Sequence, residues 1–178
     1  NPLQLGAELY GHAGIESDLE VIALMAEVLT TAGIGLLHLD LGHVGIFRGL
    51  AEQAGLSAKA EAQLWDALQR KSTADIAALL DTFEVGSPHR ERLSALAALS
   101  GGVEVLAEAR TLLAGANGVV NEALDALTGI VEALTRWLPD LVLHVDLGEL
   151  RGYRYHTGVV FAAYTPGISQ ELARGGRY

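Results

Sequence analysis

An α+β fold, one sheet interrupted by a block of helices, is what this sequence predicts, and three observations carry it. Apolar and polar residues alternate loosely from Leu3 to Tyr10, the period of a strand. The motif His-x-Asp-Leu-Gly occurs twice inside apolar runs, at Leu36 to Gly42 and at Val142 to Gly148. Between them, residues 45–139 turn to Ala, Leu and Glu with helical spacing. The reading is a helical insertion, 45–139, set between adjacent strands of an incomplete sheet domain built from 1–44 and 140–178.

Leu3 to Tyr10 alternates loosely and is predicted as a strand with Gln4 and Glu8 on one face. Ser17, Asp18 and Glu20 read as a capping sequence, and Leu19, Ile22, Ala23, Ala26 and Leu29 follow at helical spacing to a stop near Gly33. Asp18 and Glu20 sit where a helix dipole favours negative charge, a structural role. The two His-x-Asp-Leu-Gly strands place His and Asp side by side on one face. A His/Asp metal site across neighbouring strands is conceivable there, but no local ligand motif supports it and no metal or cofactor is expected.

Within the insertion, Ser57 caps a helix ending near Arg70, and Ser72 or Thr73 caps the next, to Phe83. Pro88 suits the first turn of a third, whose His89 and Arg90 to Arg92 read as an exposed face. Gly101-Gly102 separates Leu93 to Leu99 from Val103 to Leu113. The last helix carries Val120, Leu124, Leu127, Val131, Leu134 and Leu138 on one stripe, so it packs, and these stripes are read as internal core. After Pro139 the chain returns to strand, Val159 to Tyr164 forms another, Pro166-Gly167 turns, and Ile168 to Ala173 forms a third.

Length and composition set the function classes. A chain of 178 residues, half of them hydrophobic, buries one good core with room for a small satellite. No run approaches the ~20 apolar residues of a membrane span, and no signal peptide opens the chain, so a soluble protein with no membrane partner is expected. Zero cysteines exclude disulfide and thiolate chemistry and fit a cytoplasmic location. A net charge of -10 disfavours a nucleic-acid partner, because phosphate neutralisation needs a basic face. Arg151, Arg154, Arg174 and Arg177 nonetheless crowd into the last quarter, where an anionic ligand would go. The sequence starts without Met and stops inside Gly175-Gly176-Arg177-Tyr178, which reads as a partial domain.

The stretch Arg151-Gly152-Tyr153-Arg154-Tyr155-His156-Thr157-Gly158-Val159-Val160-Phe161, closed by Gly175-Gly176-Arg177-Tyr178, is the candidate site. Glycine lets backbone approach a ligand, arginine offers a planar fork for carboxylate or phosphate, and Tyr and His recognise a polar heterocycle. A surface hairpin with an ordinary ion pair at Arg151 is the plain alternative.

Arg-Gly-x-x-Tyr-x-Thr-Gly-x-x-Phe followed by Gly-Gly-Arg-Tyr resembles the histidine-binding signature of histidyl-tRNA synthetases and of their non-synthetase relatives, the regulatory subunits of ATP phosphoribosyltransferase. Gln4-x-Gly6-x-Glu8-x-x-Gly11, then Asp18 and Glu20, resembles the segment after the second class II synthetase motif. The resemblance implies a class II aminoacyl-tRNA synthetase-like antiparallel sheet carrying the all-helical insertion, a partial catalytic-like domain. It also implies a histidine site: Gln4 and Glu8 at the ammonium and imidazole end, Arg151 facing the carboxylate, Tyr155 and Tyr178 shaping the ring pocket, and Gly175 and Gly176 allowing close approach. His156 belongs to this set but stands where synthetases carry tyrosine. Arg177 is open between a scaffold ion pair and a ligand contact.

Synthetases typically read Arg-Gly-Leu-Asp-Tyr-Tyr-Thr-Gly-x-x-Phe-Glu, and here Arg154, His156 and Ala162 replace the aspartate, the second tyrosine and the glutamate. A site that hydrogen-bonds a polar substrate loses strongly when one buried partner changes, so histidine activation is not expected. The resemblance then implies a regulatory subunit with no catalytic residue. It would be required for the first step of histidine biosynthesis, bind histidine for feedback inhibition, and join a short-form ATP phosphoribosyltransferase catalytic subunit as a homodimer within a hetero-oligomer. A histidyl-tRNA synthetase catalytic core and a structural module with a relic pocket remain the alternatives.

Overall fold

A computed structural model describes residues 4–178. Helix α1 (Ile15–Thr31) precedes strand β1 (His38–His43). Six helices follow: α2 (Val44–Gln53), α3 (Ala58–Gln69), α4 (Thr73–Thr82), α5 (His89–Ala95), α6 (Val105–Leu112) and α7 (Gly118–Trp137), with the short strand β2 (Ser100–Gly101) between α5 and α6. Strands β3 (Val142–Asp146), β4 (Val159–Thr165) and β5 (Ile168–Gly176) complete a sheet of order β2-β3-β1-β4-β5.

The predicted caps that hold are those whose oxygen reaches a free amide of the first turn. Ser57 accepts from the Ala60 N–H at 3.2 Å and Ser72 from the Asp75 N–H at 3.4 Å. Asn117 does the same for α7, accepting from Val120 at 3.1 Å. Ser17 does not cap: α1 starts earlier, Gly14 is the cap position, and the Ser17 hydroxyl bonds His12 Nδ1 at 2.8 Å instead. Pro88 stands at the cap position of α5, one residue ahead of its first turn. Arg92 is not exposed as predicted. It is buried, and its guanidinium donates to the Ala114 carbonyl in the turn that leads to α7. The glycines at 101 and 102 do separate two helices, and Gly101 also belongs to β2, which pairs with β3.

Three of the four strand pairings are antiparallel and one, β1 with β3, is parallel. Parallel neighbours need a long crossover, and here the chain between β1 and β3 supplies α2 to α7. The two His-x-Asp-Leu-Gly copies are therefore neighbours, offset by two residues so that Asp40 faces His144 across the ladder. That register carries a row across one sheet face, His144, Asp40, Ala162 and Arg174. Asp146 lies on the same face and is engaged by Lys71 Nζ at 2.6 Å and the Gly148 N–H at 2.9 Å. Among the described residues no group of three or more His, Cys, Asp and Glu is placed to hold a metal ion.

The opposite face is apolar. Leu39 and Leu41 of β1 are fully buried in one cluster with Ile46, Phe47 and Leu50 of α2 and with Leu127, Ile130 and Leu134 of α7. The predicted α7 stripe is core from Val120 to Leu134, and Leu138 packs on its edge. Burial of these side chains stabilises the fold by roughly 1.5–3 kcal/mol each before the entropy cost of ordering them. Strand β4 is buried from Val159 to Ala163 on both faces, so something other than helices covers its polar side. The cover is the segment between β3 and β4. Among the described residues no helix is long and apolar enough to cross a membrane.

The predicted strand over Leu3 to Tyr10 is not formed: Leu3 lies outside the described residues, and residues 4–10 belong to no strand and are exposed. Alternation alone does not make a strand, since backbone N–H and C=O groups need a ladder to pair with.

Candidate functional site

The segment from Gly148 to His156 is irregular, yet its carbonyls are held one after another by side chains of α2 and α3. Gln69 Nε2 donates to the Gly148 carbonyl at 3.0 Å, Trp65 Nε1 to Leu150 at 3.2 Å, and Arg48 to Tyr153 at 3.1 Å and His156 at 3.0 Å. Tyr153 is buried, lies edge-on to Phe47 at 5.3 Å, receives the Arg48 guanidinium 5.0 Å from its ring centre, and donates its hydroxyl to Glu61. Burial, with that carboxylate acceptor, pushes the Tyr153 hydroxyl above its ordinary pKa. Arg48, Glu61, Trp65 and Gln69 were missed in the sequence. Glu61, Trp65 and Gln69 are spaced four apart on α3, so a single polar stripe facing the loop was the available signal.

Inside the loop's curve lies a cavity of about 250 Å³, floored by Val160 and Ala162 and walled by Glu149, Arg151, Tyr155, His156, Arg174 and Gly175. The structure thus brings together Arg151, Tyr155, His156 and Gly175 of the predicted set. Arg151 is not an open fork: it donates to Glu149 at 2.7 and 3.0 Å, to the Tyr164 hydroxyl at 2.8 Å, and to Glu171. Its hydrogen bonds to Glu149 hold it even more firmly protonated than a free guanidinium. Arg174, mostly exposed, pairs with the other oxygen of Glu171 at 2.9 Å. One wall therefore carries both signs of charge. Burial raises the Asp40 carboxyl above its usual range on the same sheet face, against the opposing pull of His144.

His156 is buried, and its imidazole Nδ1 lies 3.1 Å from the Arg151 carbonyl. The ring leans on Tyr155 with centroids 4.3 Å apart. Burial lowers its pKa, and because a carbonyl oxygen only accepts, Nδ1 is the nitrogen that carries the proton and donates to it. Gly152 has φ +70°, a conformation that favours glycine, and a Cβ there would meet the imidazole at 2.5 Å. A Cβ at Gly176 would meet it at 2.8 Å. Gly176 thus lies closely against the chain's own His156 ring.

Gln4, Glu8 and Tyr178 do not line this cavity. All three are exposed; Tyr178 stacks edge-on against Tyr10 with centroids 6.3 Å apart, and the Tyr10 hydroxyl donates to Glu8. Arg177 is the scaffold: it pairs with Asp18 at 2.8 and 3.1 Å and donates to the carbonyls of Ala13 and Gly14. Asp18 is structural, as predicted, and burial raises its pKa against the pull of Arg177. Arg154 points away from the cavity into a second recess of about 240 Å³ with Glu61, Trp65 and Tyr153, its guanidinium 5.8 Å from the Trp65 ring centre.

Comparison with known proteins bears on the family and the fold. ATP phosphoribosyltransferase regulatory subunits from Thioalkalivibrio sulfidiphilus and Alkalilimnicola ehrlichii are 57% and 56% identical to the whole of this chain. The chain spans 45% and 44% of those relatives, less than half their length. A crystal structure from Bacillus halodurans, described as an ATP phosphoribosyltransferase regulatory subunit/histidyl-tRNA synthetase, superposes with a TM-score of 0.83 at 28% identity, over 94% of this chain and 44% of that one. The sheet and its helices therefore have the class II synthetase-like α+β fold expected from the signature. The family described as histidyl-tRNA synthetase matches residues 1–178, every position of the sequence, and the chain belongs to that family.

Proposed function

We propose that this chain is part of a non-catalytic regulatory subunit of ATP phosphoribosyltransferase that binds histidine in the cavity under the 149–156 loop. The observation that carries the reading is the wall of mixed charge around a ring cradle. Glu149, with Glu171 behind Arg151 and Arg174, suits an ammonium, Arg151 and Arg174 a carboxylate, and Tyr155, His156 and Gly175 line the side where a ring would lie. A zwitterionic amino acid with a heterocycle matches all three. At about 250 Å³ the cavity falls below the ~300 Å³ at which drug-sized sites begin, the right scale for a free amino acid.

Absence of chemistry is part of this reading, and Ala162 supports it: it floors the cavity with a methyl group where synthetases typically carry glutamate. The names of relatives that match the whole chain support the same assignment. On this reading residues 1–44 and 140–178 form the sheet unit and 45–139 its helical insertion. The subunit works in the cytoplasm as a homodimer joined to a short-form catalytic subunit, with Gln4 and Glu8 of the exposed N-terminal arm, residues 4–14, and the C-terminal Tyr178 joining the site when ligand is present.

The test mixes the full-length protein with a short-form ATP phosphoribosyltransferase catalytic subunit. Co-elution, with phosphoribosyl transfer that histidine suppresses, is expected. Separate elution with unchanged activity overturns the proposal. Histidine-dependent pyrophosphate exchange by the full-length protein would instead establish the synthetase reading.

A further inference from the structure

One strand beyond the cavity floor stands a carboxylate with no hydrogen-bond donor among the described residues. Asp40 lies directly opposite Ala162, a floor residue, in the antiparallel ladder of β1 and β4. Such cross-strand partners have Cβ atoms about 5 Å apart, and Ala162 puts only a methyl group between the cavity and Asp40. Glu149 borders the same spot: a Cβ at Gly42, two residues along from Asp40 and on its face, would fall 3.1 Å from the Glu149 Cβ. The other carboxylates here are engaged. Glu149 and Glu171 accept from Arg151, Glu171 also pairs with Arg174, and Asp146 pairs with Lys71. Asp40 takes a single ion-pair contact, His144 Nδ1 at 3.4 Å, and that nitrogen makes no hydrogen bond among the described residues. The Asp40 side chain keeps 29% of its surface open. Burial raises its carboxyl; His144 pulls the other way, and Asp146 and Glu149 add to the rise, so a cation is wanted at this point.

We propose that Asp40, with Glu149 beside it, receives the ammonium of the amino acid bound in the cavity, and so sets the site's preference for an α-amino ligand over its deaminated analogue. The inference deepens the histidine-site reading and rests on it. An ammonium carries three donors and needs acceptors that are still free. A carboxylate already claimed by a guanidinium offers charge with fewer open lone pairs, whereas Asp40 offers both. The row across the sheet face runs His144, Asp40, Ala162, Arg174, which sets Asp40 and Arg174 on opposite sides of the small floor residue. The ammonium and carboxylate of an amino acid share one carbon. That carbon lies above Ala162, between the acid on one strand and the arginine on another, and the ligand's side chain is left to run toward Tyr155 and His156.

The experiment titrates the full-length protein, wild type and Asp40→Asn, with L-histidine and with imidazole-4-propionate, which is histidine without its ammonium, by calorimetry. Wild type is expected to bind L-histidine the more tightly of the two. Asp40→Asn is expected to weaken L-histidine about tenfold, the size of one charge-assisted hydrogen bond at a partly open position, and to leave imidazole-4-propionate within about twofold. L-histidine affinity that stays unchanged in the variant overturns the proposal, and so does an equal loss for both ligands, which is damage to the cavity as a whole. A wild type that binds both ligands equally well overturns it too and leaves the histidine reading standing. Should Asp40→Asn not fold, carboxyl-carbon NMR of wild-type Asp40 decides: its resonance moves on saturation with L-histidine, and one that stays fixed overturns the proposal. A wild type that binds neither ligand removes the histidine reading, and this inference with it.

Discussion

The loop from Gly148 to His156 and the arm from Gln4 to Gly14 were each expected to carry half of a histidine site, and they differ in how the rest of the chain holds them. Every second or third carbonyl of the loop is gripped by a side chain of α2 or α3, and its own arginine is closed by two carboxylates. The arm makes no ladder; Arg177 pins it at Ala13 and Gly14, and farther out it touches the C-terminus through Tyr10 and Tyr178. A site element is fixed by what satisfies its backbone, and irregular backbone is fixed only where side chains supply those bonds.

Removing the pin tests the contrast most severely. Arg177→Ala leaves Asp18 mostly buried without its partner and frees both arm carbonyls, and breaking such a pair costs about 3 kcal/mol in urea unfolding. Asp18→Asn in the same background is expected to recover part of the loss, since it removes the orphaned charge. Arg48→Ala follows, at about 2 kcal/mol, because two loop carbonyls lose a charged donor and Tyr153 loses its cation. Its distinguishing readout is histidine affinity: the loop variant weakens binding, whereas an equally destabilising core change such as Ile130→Val does not.

Much of this was legible because the signal was local. Ser57 and Ser72 cap where spacing predicted, since an N-cap needs only its own next three residues. The α7 stripe lies in the core, because an apolar face that wide has few other uses. The strand at Leu3 to Tyr10 failed because pairing is decided elsewhere in the chain. Arg92 misled for the same reason: its charge suggested solvent, and the carbonyl it serves lies in a distant turn. Of the candidate site, the signature was readable and its support was not, as Arg48, Trp65 and Gln69 act on carbonyls, which have no sequence signature.

A smaller effect is expected with pH, outside both regions at the start of α2. His43 closes β1, its Nδ1 accepts from the Gly45 N–H at 3.1 Å to cap α2, and burial lowers its pKa from 6.5 to about 4, with Arg177 and Arg48 adding to the shift. As pH falls the unfolded chain takes up this proton first. The stability tied to neutral His43 is therefore intact above pH 6.5 and lost progressively toward pH 4, by between about 1 and 2 kcal/mol after allowing for its partial exposure. His156, also lowered, acts in the same direction. Asp18 and Asp40, raised by burial, act oppositely, stabilising the fold as pH falls through their folded values. The isolating variant is His43→Asn, which keeps the cap and removes the titration, so its stability profile between pH 6.5 and 4 is expected to be the flatter of the two.

The smallest effect on stability is expected at the arm, where it sharpens the comparison most. Gln4→Ala and Glu8→Ala each change unfolding stability by less than about 0.5 kcal/mol, as exposed residues without buried partners do. If the arm joins the site only when ligand is present, the same variants still weaken histidine binding, and histidine protects amides 4–10 from hydrogen exchange in the wild type while loop amides, already held, change little. Exchange in the arm that stays fast at saturating histidine would show that the loop and sheet bind the ligand unaided, and that the carboxamide and carboxylate of the arm serve some other surface.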